Sequence, residues 1–277
     1  MNRSSAINYD HPIPKPPFWG SRCVEFVPLA SLLPYMNRTA LFKFQWGFKP
    51  KGKKPDEYKL WAKTEVEPIL QRLIAHDQRE KIIQPQAVYG YFPCQSEGNS
   101  LIIYTDSLGE NERCRFTFPR QKKSQRQLCI SDFFRDVNSG EMDVLALQLV
   151  TIGQKASDFA RNLFQSDNYQ DYLYWHGLNA ESTEALAEYI HKRIRQELGF
   201  GVDEPRDMTD LFKQKYRGSR YSFGYPACPD LEQQDKLLEL LDAKRIGITL
   251  SEEFQLWPEE STSAIVVYHP QAKYFTV

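Results

Sequence analysis

The sequence predicts an α+β domain built around a mainly antiparallel sheet. Three strand-like segments follow one another in the middle of the chain with turn residues between them, which is typical of an antiparallel meander. Helices and strands do not alternate strictly along the chain, as they would in a doubly wound parallel fold. The 277 residues contain 41% hydrophobic and 26% charged residues, enough apolar material for one sizeable core.

The first 17 residues predict an extended N-terminal arm, and residues 18–277 predict the folded domain. Four prolines favour extended backbone and disfavour an early helix; they are Pro12, Pro14, Pro16 and Pro17. The arm lacks the apolar stretch of a signal peptide. No segment of the chain approaches the ~20 apolar residues of a membrane span, so we expect no membrane partner.

Short apolar segments follow the arm. Residues 29–35 predict one or two helical turns, whereas residues 41–48 alternate apolar and polar side chains and predict a short strand. Residues 56–81 carry apolar side chains at helical spacing and predict a helix. Pro68 lies inside that helix and predicts a kink or break there.

The predicted meander consists of residues 87–92, 100–104 and 114–118, which are rich in aromatic and β-branched side chains. Turn residues separate these segments. Residues 143–152 form a longer apolar run that ends at Gly153, and this run predicts a central strand.

Two helices are predicted next, over residues 156–164 and 182–198. The second carries an apolar stripe at helical spacing and is followed by Gly199 and Gly201, which end it.

A third helix is predicted over residues 231–245. Asp230 and Gln233 have the spacing of a capping box, and Gly247 ends the helix. The chain closes with a predicted strand, turn and strand over residues 264–268, 269–272 and 273–277.

Charge and cysteine content exclude several classes of protein. The chain has 35 Lys and Arg residues against 36 Asp and Glu residues, so no basic footprint for nucleic acid is present. The five cysteines have no metal-ligand spacing, and we expect reduced thiols, no metal and a cytoplasmic protein. Phosphate-binding loops, zinc-hydrolase motifs and nucleophile elbows are also missing from the sequence.

One segment, residues 220–230, has an unusual composition: Arg-Tyr-Ser-Phe-Gly-Tyr-Pro-Ala-Cys-Pro-Asp. The Arg220 guanidinium is suited to a bidentate pair with a carboxylate, and Gly224 lets the backbone approach a ligand closely. The alternative is a rigid connector with a surface arginine. Cys228 is more typical of a small buried apolar residue than of a reactive thiol.

This segment resembles the signature of the activation domain of cobalamin-dependent methionine synthase, an Arg followed by three variable residues and Gly-Tyr-Pro-Ala-Cys-Pro-Asp. Further segments resemble that family in the same order along the chain. They are residues 90–93 (Gly-Tyr-Phe-Pro), 119–121 (Pro-Arg-Gln), 128–133 (Leu-Cys-Ile-Ser-Asp-Phe), 185–193 (Ala-Leu-Ala-Glu-Tyr-Ile-His-Lys-Arg), 250–258 (Leu-Ser-Glu-Glu-Phe-Gln-Leu-Trp-Pro), and His269-Pro270 with Lys273-Tyr274-Phe275.

The resemblance implies a single curved domain with a twisted, mainly antiparallel sheet flanked by helices. It implies binding of S-adenosyl-L-methionine, whose methyl group restores methylcobalamin from oxidised cob(II)alamin. The partners it implies are the cobalamin-binding module of methionine synthase, or another corrinoid protein, and a flavodoxin-like reductase. This chain would be part of a methyltransferase and would carry no complete active site, no general base and no catalytic residue of its own.

The resemblance also implies roles for individual residues. Arg220 takes the ligand carboxylate, and backbone groups around Gly224, Tyr225 and Ala227 bond the adenine and ribose. Tyr274 lies near the sulfonium, where an aromatic face attracts a cation. Phe275 either joins it or belongs to the sheet core.

Acidic positions complete the implied site. Glu184 matches a glutamate of the family, whereas Asn37 stands where the family has a carboxylate for the ligand ammonium. Gln214 replaces a second glutamate, and Leu231 replaces a histidine that faces the cobalamin module. These departures leave an alternative function: a module of the same fold that docks on a corrinoid protein without using S-adenosylmethionine.

Overall fold

The computed structural model describes residues 3–201, 204 and 208–277, and an antiparallel sheet lies at its centre. The sheet strands are β1 (Gly20–Val24), β2 (Gln86–Glu97), β3 (Ser100–Tyr104), β4 (Glu112–Thr117), β5 (Asp143–Thr151), β6 (Ser219–Tyr221) and β9 (Ser261–Val267). Their order is β4-β3-β2-β5-β9-β6, with β1 also paired to β2, and every pairing is antiparallel. A two-stranded ribbon consists of β7 (Thr249–Leu250) and β8 (Leu256–Trp257). The predicted α+β class with a mainly antiparallel sheet is confirmed.

The long helices cover one face of the sheet, and the helix Gln234–Leu241 covers the other together with short helical turns. The α-helices are α1 (Leu29–Leu32), α2 (Arg38–Ala40), α3 (Pro55–Trp61), α4 (Glu67–Glu80), α5 (Gln154–Gln165), α6 (Tyr169–Glu197), α7 (Met208–Phe212) and α8 (Gln234–Leu241). The 3₁₀ turns are Leu33–Tyr35, Ile130–Phe133, Val137–Ser139, Leu231–Gln233 and Ala243–Ile246.

The central strand β5 supplies both cores. Because successive side chains of a strand point to opposite faces, Ala146 and Val150 join the core beneath the long helices. Leu145, Leu147 and Leu149 join the second core on the other face. The uninterrupted apolar run predicted for this strand is therefore explained by burial on both sides.

The predicted strands at 87–92, 100–104, 114–118, 143–152 and 264–268 are confirmed, as is the helical segment at 29–35. The predicted helix 56–81 is confirmed as α3 and α4 joined by a π-helical turn, Ala62–Val66. Pro68 explains this turn, because a proline clashes with the carbonyl four residues earlier in a regular helix. Widening the helix over the preceding turn accommodates the ring, so the predicted irregularity lies just before the proline.

The predicted strand over residues 41–48 is wrong, because Leu41–Gln45 form a π-helical turn that continues α2. Phe42 and Trp46 stack with their ring centroids 5.4 Å apart, and both are buried against α6. The Trp46 indole donates a hydrogen bond to the Tyr174 carbonyl at 3.0 Å. Closely spaced aromatic residues produced an alternating pattern, although the packing against α6 requires helical spacing.

Helix α6 is longer than predicted, since it begins at Tyr169 rather than at residue 182. Gly177 obscures the pattern, because glycine is unfavourable inside a helix. Its place is explained by close packing: a Cβ there would lie 2.8 Å from the Trp46 indole and 2.8 Å from Gln45 Cβ. At the other end of α6, the Tyr89 and Tyr91 hydroxyls each donate to Glu197 at 2.9 Å, which ties the helix to β2.

The C-terminal third departs from the sequence expectations in two places. The predicted helix 231–245 consists of a 3₁₀ turn, α8 and a second 3₁₀ turn, and Gly247 follows it as expected. Asp230 caps it by accepting from the Glu232 amide at 3.1 Å, but the predicted reciprocal bond of Gln233 is absent within the described chain. Gln233 instead pairs through its amide with both backbone groups of Thr117.

The predicted strand over residues 273–277 is also wrong. This segment has no strand partner in the described residues and is fixed by side-chain contacts instead. The Lys273 ammonium donates to the carbonyls of Gln214 and Tyr216, and Gln121 donates to the Thr276 carbonyl.

The N-terminal arm packs against the second core. Arg3 pairs with Asp136 at 3.1 Å and donates to the Phe134 carbonyl at 2.6 Å. Ile7 is buried in the second core, and the His11 ring lies edge-on to His269 with the centroids 4.3 Å apart. The arm therefore packs on the folded domain.

Candidate functional site

Arg220 lies on the edge strand β6, opposite Val266 of β9. Its guanidinium reaches the face of α6, where it bonds Glu188 through Nη1 and Glu184 through Nη2, the latter at 3.3 Å. Glu184 and Glu188 are four residues apart, so they lie on the same face of the helix. The sequence signature thus places its arginine against two carboxylates of α6.

These groups line a cavity of about 260 Å³, called here the Arg220 pocket. Four residues singled out in the sequence meet there: Arg220, Glu184, Asn37 and Gln214. The other residues of its wall are Tyr35, Ala40, Glu181, Glu188, Leu211, Phe212 and Tyr216.

A chain of alternating charges holds Arg220 in place. Glu188, which is largely buried, accepts from Arg220 with one oxygen and from Arg195 with the other, at 3.1 Å. Arg195 is fully buried and also bonds Glu204. A buried charge requires a partner, so each member of this chain fixes the next. The bond with Glu188 consequently fixes the orientation of the Arg220 guanidinium.

Two neutral groups surround the charges. His191 is fully buried, and burial first, then the nearby Arg195 and Arg220, hold its pKa well below the usual range. Burial, followed by the charge of Glu188, raises the pKa of Tyr216 to about 12, so its phenol stays protonated. The Arg195 guanidinium lies 4.0 Å from the centre of the Tyr216 ring. The positive charge of the pocket is thus confined to arginine.

The remainder of the signature forms a tight turn. The Gly224 amide donates to the Cys228 carbonyl at 2.9 Å, and the Cys228 amide donates to the Tyr225 carbonyl at 2.8 Å. Gly224 has φ +85° and a Cβ there would lie 3.2 Å from Leu231, so glycine is required. Ala227 and Cys228 are buried in the second core, whereas Tyr225 is exposed. Cys228 is therefore a buried apolar residue, as expected.

A second cavity of about 680 Å³, called here the long groove, runs past this turn. Phe223, Tyr225 and Leu231 form one wall, and residues 255–257 and 259–263 form another. Glu181 and Glu184 line both the long groove and the Arg220 pocket, so the two cavities meet at these carboxylates. Together they are of the size that accommodates a cofactor-sized ligand.

Glu181 is a buried carboxyl group at the junction of the two cavities, with 7% of its surface exposed. Burial first, and then the charge of Glu184, raise its pKa to about 7, although a hydrogen bond with the Gln45 side chain opposes the shift. Neither Glu181 nor Glu188 was predicted from the sequence. Their spacing of three and four residues from Glu184 was a usable signal, since such residues share a helix face.

The two aromatic residues near the C-terminus have different environments. Phe275 is buried and contacts the rings of Phe133 and Tyr221, with centroids 6.3 and 5.8 Å apart. This position agrees with the core alternative for Phe275. Tyr274 is 44% exposed and does not line the Arg220 pocket or the long groove. Its contact with a sulfonium stays a prediction.

Other family-like segments form the scaffold. Arg120 makes a bidentate pair with Asp132 at 2.6 and 2.8 Å, and the Asp132 side chain is fully buried. The Gln121 side chain accepts from the Leu128 amide at 3.1 Å. These bonds hold the loop at residues 119–121 against the segment at residues 128–133.

The part of the chain that the structure describes contains no group of three or more His, Cys, Asp or Glu side chains placed to hold a metal ion. In the same residues, none of the helices has the length and apolar content needed to cross a bilayer.

Comparison with known proteins identifies relatives that cover the whole site. The family described as vitamin B12 dependent methionine synthase, activation domain, matches residues 28–277. Methionine synthase of Mycobacterium tuberculosis (strain ATCC 25618 / H37Rv) is 46% identical over 286 residues. Methionine synthase of Mycobacterium leprae (strain TN) is 45% identical over 281 residues. These matches cover 99% and 97% of this chain but 24% and 23% of the relatives, so the chain spans about a quarter of their length.

A solved structure shows the same fold. The crystal structure of the MetH reactivation domain bound to AdoHcy matches with a TM-score of 0.86 and 26% sequence identity. The match covers 96% of this chain and 83% of that one.

Proposed function

Because this chain belongs to the family of vitamin B12-dependent methionine synthase activation domains, we propose that it binds S-adenosyl-L-methionine and presents the methyl group for reductive remethylation of cobalamin. The observation that carries this proposal is the Arg220 pocket opening into the long groove. One end of the site has an arginine for a carboxylate and the other has room for a nucleoside.

The ligand's charges match the charges of the pocket. Arg220 is placed to receive the carboxylate, since a guanidinium pairs with carboxylate in a bidentate manner. The ammonium, attached to the neighbouring carbon, then lies near Glu184, which is 3.3 Å from the Arg220 guanidinium. The Asn37 side chain already accepts from the Ala40 amide at 3.1 Å and caps α2, so it is a weaker partner for the ammonium.

The adenosine end fits the long groove. Phe223 and Tyr225 offer aromatic surface on one wall, and aromatic rings pack favourably against a purine. The turn at Gly224 brings backbone to the same wall, and Ala227 anchors that turn in the core. Tyr274 remains our proposed neighbour of the sulfonium from outside the groove.

The chain's own contribution is to bind and orient the methyl donor, and we propose no general base in it. The cobalamin of a partner module, in methionine synthase or another corrinoid protein, supplies the nucleophile once a flavodoxin-like reductase has delivered one electron. Charge pairs around Arg220 fix the position of the ligand, which is the main protein contribution when a cofactor carries the chemistry. The free cysteines of the described residues support our further proposal of a cytoplasmic location.

Titration calorimetry of the purified chain with S-adenosylmethionine tests the proposal. Saturable binding is expected, and Arg220→Ala should weaken it by roughly 10- to 100-fold, because a charge-assisted hydrogen-bonded pair contributes about 1.5–3 kcal/mol. Arg220→Lys should restore only part of the affinity, since an ammonium lacks the planar fork.

Arg113→Ala is the matched control, because Arg113 is a partly exposed arginine on β4 whose ion pair, with Glu239, is long at 3.9 Å. It should bind like the wild type. Absence of binding by the wild type at millimolar ligand would contradict the proposal. That result would favour the alternative, a docking module of the same fold that does not use S-adenosylmethionine.

A further inference from the structure

A third cavity, of about 740 Å³, lies beside α2 and is separate from the proposed S-adenosylmethionine site. Its volume is in the range of small-molecule sites. The apolar part of its wall contains Phe42, Tyr58 and Ala62, all of them buried. Phe42 and Ala62 belong to the two π-helical turns of the chain's first third, and Tyr58 belongs to α3. Such turns are frequent at functional sites, so this cavity is a candidate for a second ligand.

Positive charge surrounds the apolar wall, and we call this space the lysine cavity. Its lysines are Lys43, Lys53, Lys59 and Lys63. Within the described part of the chain, no carboxylate lies at ion-pair distance from any of the four, whereas Arg38, which also lines the cavity, is paired with Glu67 at 2.5 Å. The four ammonium groups therefore leave an uncompensated positive charge at the cavity.

Aromatic rings position two of these lysines. The Lys43 ammonium lies 4.7 Å from the centre of the Tyr58 ring, and the Lys53 ammonium lies 5.0 Å from the centre of the Trp61 ring. A ring face attracts a cation without neutralising it. Both charges thus remain available to an anion beside the apolar wall.

We propose that the lysine cavity binds an anionic amphiphile, a small molecule with an apolar or aromatic body and a carboxylate or phosphate head group. Phe42, Tyr58 and Ala62 favour an apolar body, because its burial removes apolar surface from water. The ammonium groups favour an acidic head group. A neutral apolar molecule would leave the charges unused, and a polyanion without an apolar body would leave the apolar wall empty.

Fluorescence titration of the purified chain tests the site with two probes that differ in charge. Anilinonaphthalene sulfonate carries a sulfonate on an aromatic body, and phenylnaphthylamine has the same body without the charge. We expect saturable binding of both to the wild type. Lys43→Gln/Lys53→Gln should weaken the sulfonate about five- to tenfold at low ionic strength and leave the neutral probe unchanged, because only the sulfonate interacts with the ammonium groups.

Two further variants locate the bound probe. Thr39 is exposed and lines the cavity, so the indole of Thr39→Trp should occupy space needed by the aromatic body and weaken both probes. Lys122→Gln/Lys123→Gln, a matched pair of exposed lysines outside the cavity wall, should change neither affinity. If the wild type binds neither probe, or if Thr39→Trp and the Lys43/Lys53 variant bind both like the wild type, the proposal is overturned.

Displacement of the bound sulfonate identifies the head group. Decanoate and decyl phosphate share an alkyl body, so the stronger competitor shows whether the cavity prefers a carboxylate or a phosphate. A hexaglutamate peptide supplies negative charge without an apolar body and should compete poorly. If the peptide alone displaced the probe, the lysines would form a docking patch for an acidic protein and the proposal would be overturned. Failure of both alkyl anions to displace the probe would also overturn it.

The lysine cavity shares a wall with the proposed S-adenosylmethionine site. Thr39 and Phe42 line the cavity, whereas Ala40 of the same helix lines the Arg220 pocket and Gln45 lines the long groove. Resting on the function proposed above, we expect saturating S-adenosylmethionine to change the affinity for the sulfonate by about fivefold or more, with the reciprocal change in the affinity for S-adenosylmethionine. Equal affinities would overturn this coupling. Failure of S-adenosylmethionine to bind would contradict the proposed function, while the titrations without it still test the cavity.

Discussion

The buried carboxyl group of Glu181 makes the stability of the ligand-free protein depend on pH. Its pKa is about 7 in the folded chain against a normal value of 4.5. A carboxyl group whose pKa is raised by folding stabilises the folded state below the normal pKa, and this contribution is lost as pH rises toward the folded pKa. The protein therefore gives up stability between about pH 4.5 and pH 7. Asp143, whose pKa burial raises to about 6, acts in the same direction.

Replacement of the Glu181 carboxyl group tests this pH dependence of stability. We expect Glu181→Gln to raise the free energy of unfolding by on the order of 1–3 kcal/mol at pH 8 and to change it little at pH 4. Urea denaturation at the two pH values measures the difference, and Asp143 cancels because it is common to both proteins. Exposed Glu65→Gln should show no pH-dependent effect. An equal effect of Glu181→Gln at both pH values would show that charge burial is not its cause.

Some residues of the site could be predicted from the sequence and others could not. Arg220, Glu184 and Asn37 were proposed from a family motif, and the fold brings them to one pocket. Glu181 was missed because the predicted helix began one residue after it. Its side chain also bonds Gln45, more than a hundred positions away in the chain, and no local pattern reports such a contact.

Gly177 connects helix packing to the site at the scale of single elements. Glycine to alanine inside a helix normally stabilises a protein by about 1 kcal/mol. Here the new Cβ would lie 2.8 Å from both Gln45 and the Trp46 indole, so the π-helical turn must move. We expect Gly177→Ala to destabilise the chain by about 1–3 kcal/mol, measured by denaturant unfolding. Because Gln45 bonds Glu181, affinity for S-adenosylmethionine should also fall.

Trp46, which the new Cβ would contact, provides the control for the destabilisation by Gly177→Ala. In a Trp46→Leu background the indole is gone, so adding Gly177→Ala should cost less than it does in the wild type. A double-mutant cycle gives the coupling between the two positions. Additive effects would mean that the strain arises elsewhere.

Local patterns identified most elements but failed where tertiary contacts decide the backbone. In residues 41–48 the aromatic alternation indicated a strand, yet Phe42 and Trp46 must share one helical face to pack on α6. Residues 273–277 have strand-like composition, but they pair with no strand in the described structure. Their backbone is held by Lys273 and by Gln121 instead.

The N-terminal arm contributes at the scale of the whole molecule. It joins residues 130–136 to the C-terminal region through Arg3, Ile7 and His11. Deletion of residues 1–12 should lower the thermal midpoint by about 5–15 °C, which corresponds to losing a few kcal/mol in a domain of this size. Differential scanning fluorimetry measures this shift.

Ligand binding serves as the internal control for the deletion. The arm packs beside the second core, whereas the Arg220 pocket is lined by α2, α6, α7 and β6. Affinity for S-adenosylmethionine at a temperature well below both midpoints should therefore be unchanged. An unaltered midpoint would show that the arm contributes no net stability.

The fold class followed from the sequence, but the layout of the sheet did not. Periodicity identifies strands without stating which strands are neighbours. In the structure β1 and β3 pair with the same edge of β2, at residues 87–91 and 94–97, because β2 is twelve residues long. Long-range pairing of this kind is decided by the joint burial of both sheet faces.

The meeting of the Arg220 pocket and the long groove at Glu181 and Glu184 also bears on how the ligand's two halves cooperate. In the proposed binding mode, an amino acid alone would occupy one cavity and a nucleoside alone the other, and each would lose its own rotational and translational freedom on binding. Covalently joined, the second half binds at an effective concentration set by the linker. The linker here is the sulfur with its methylene groups, so the atom that carries the transferable methyl also determines how strongly the two weak sites act as one.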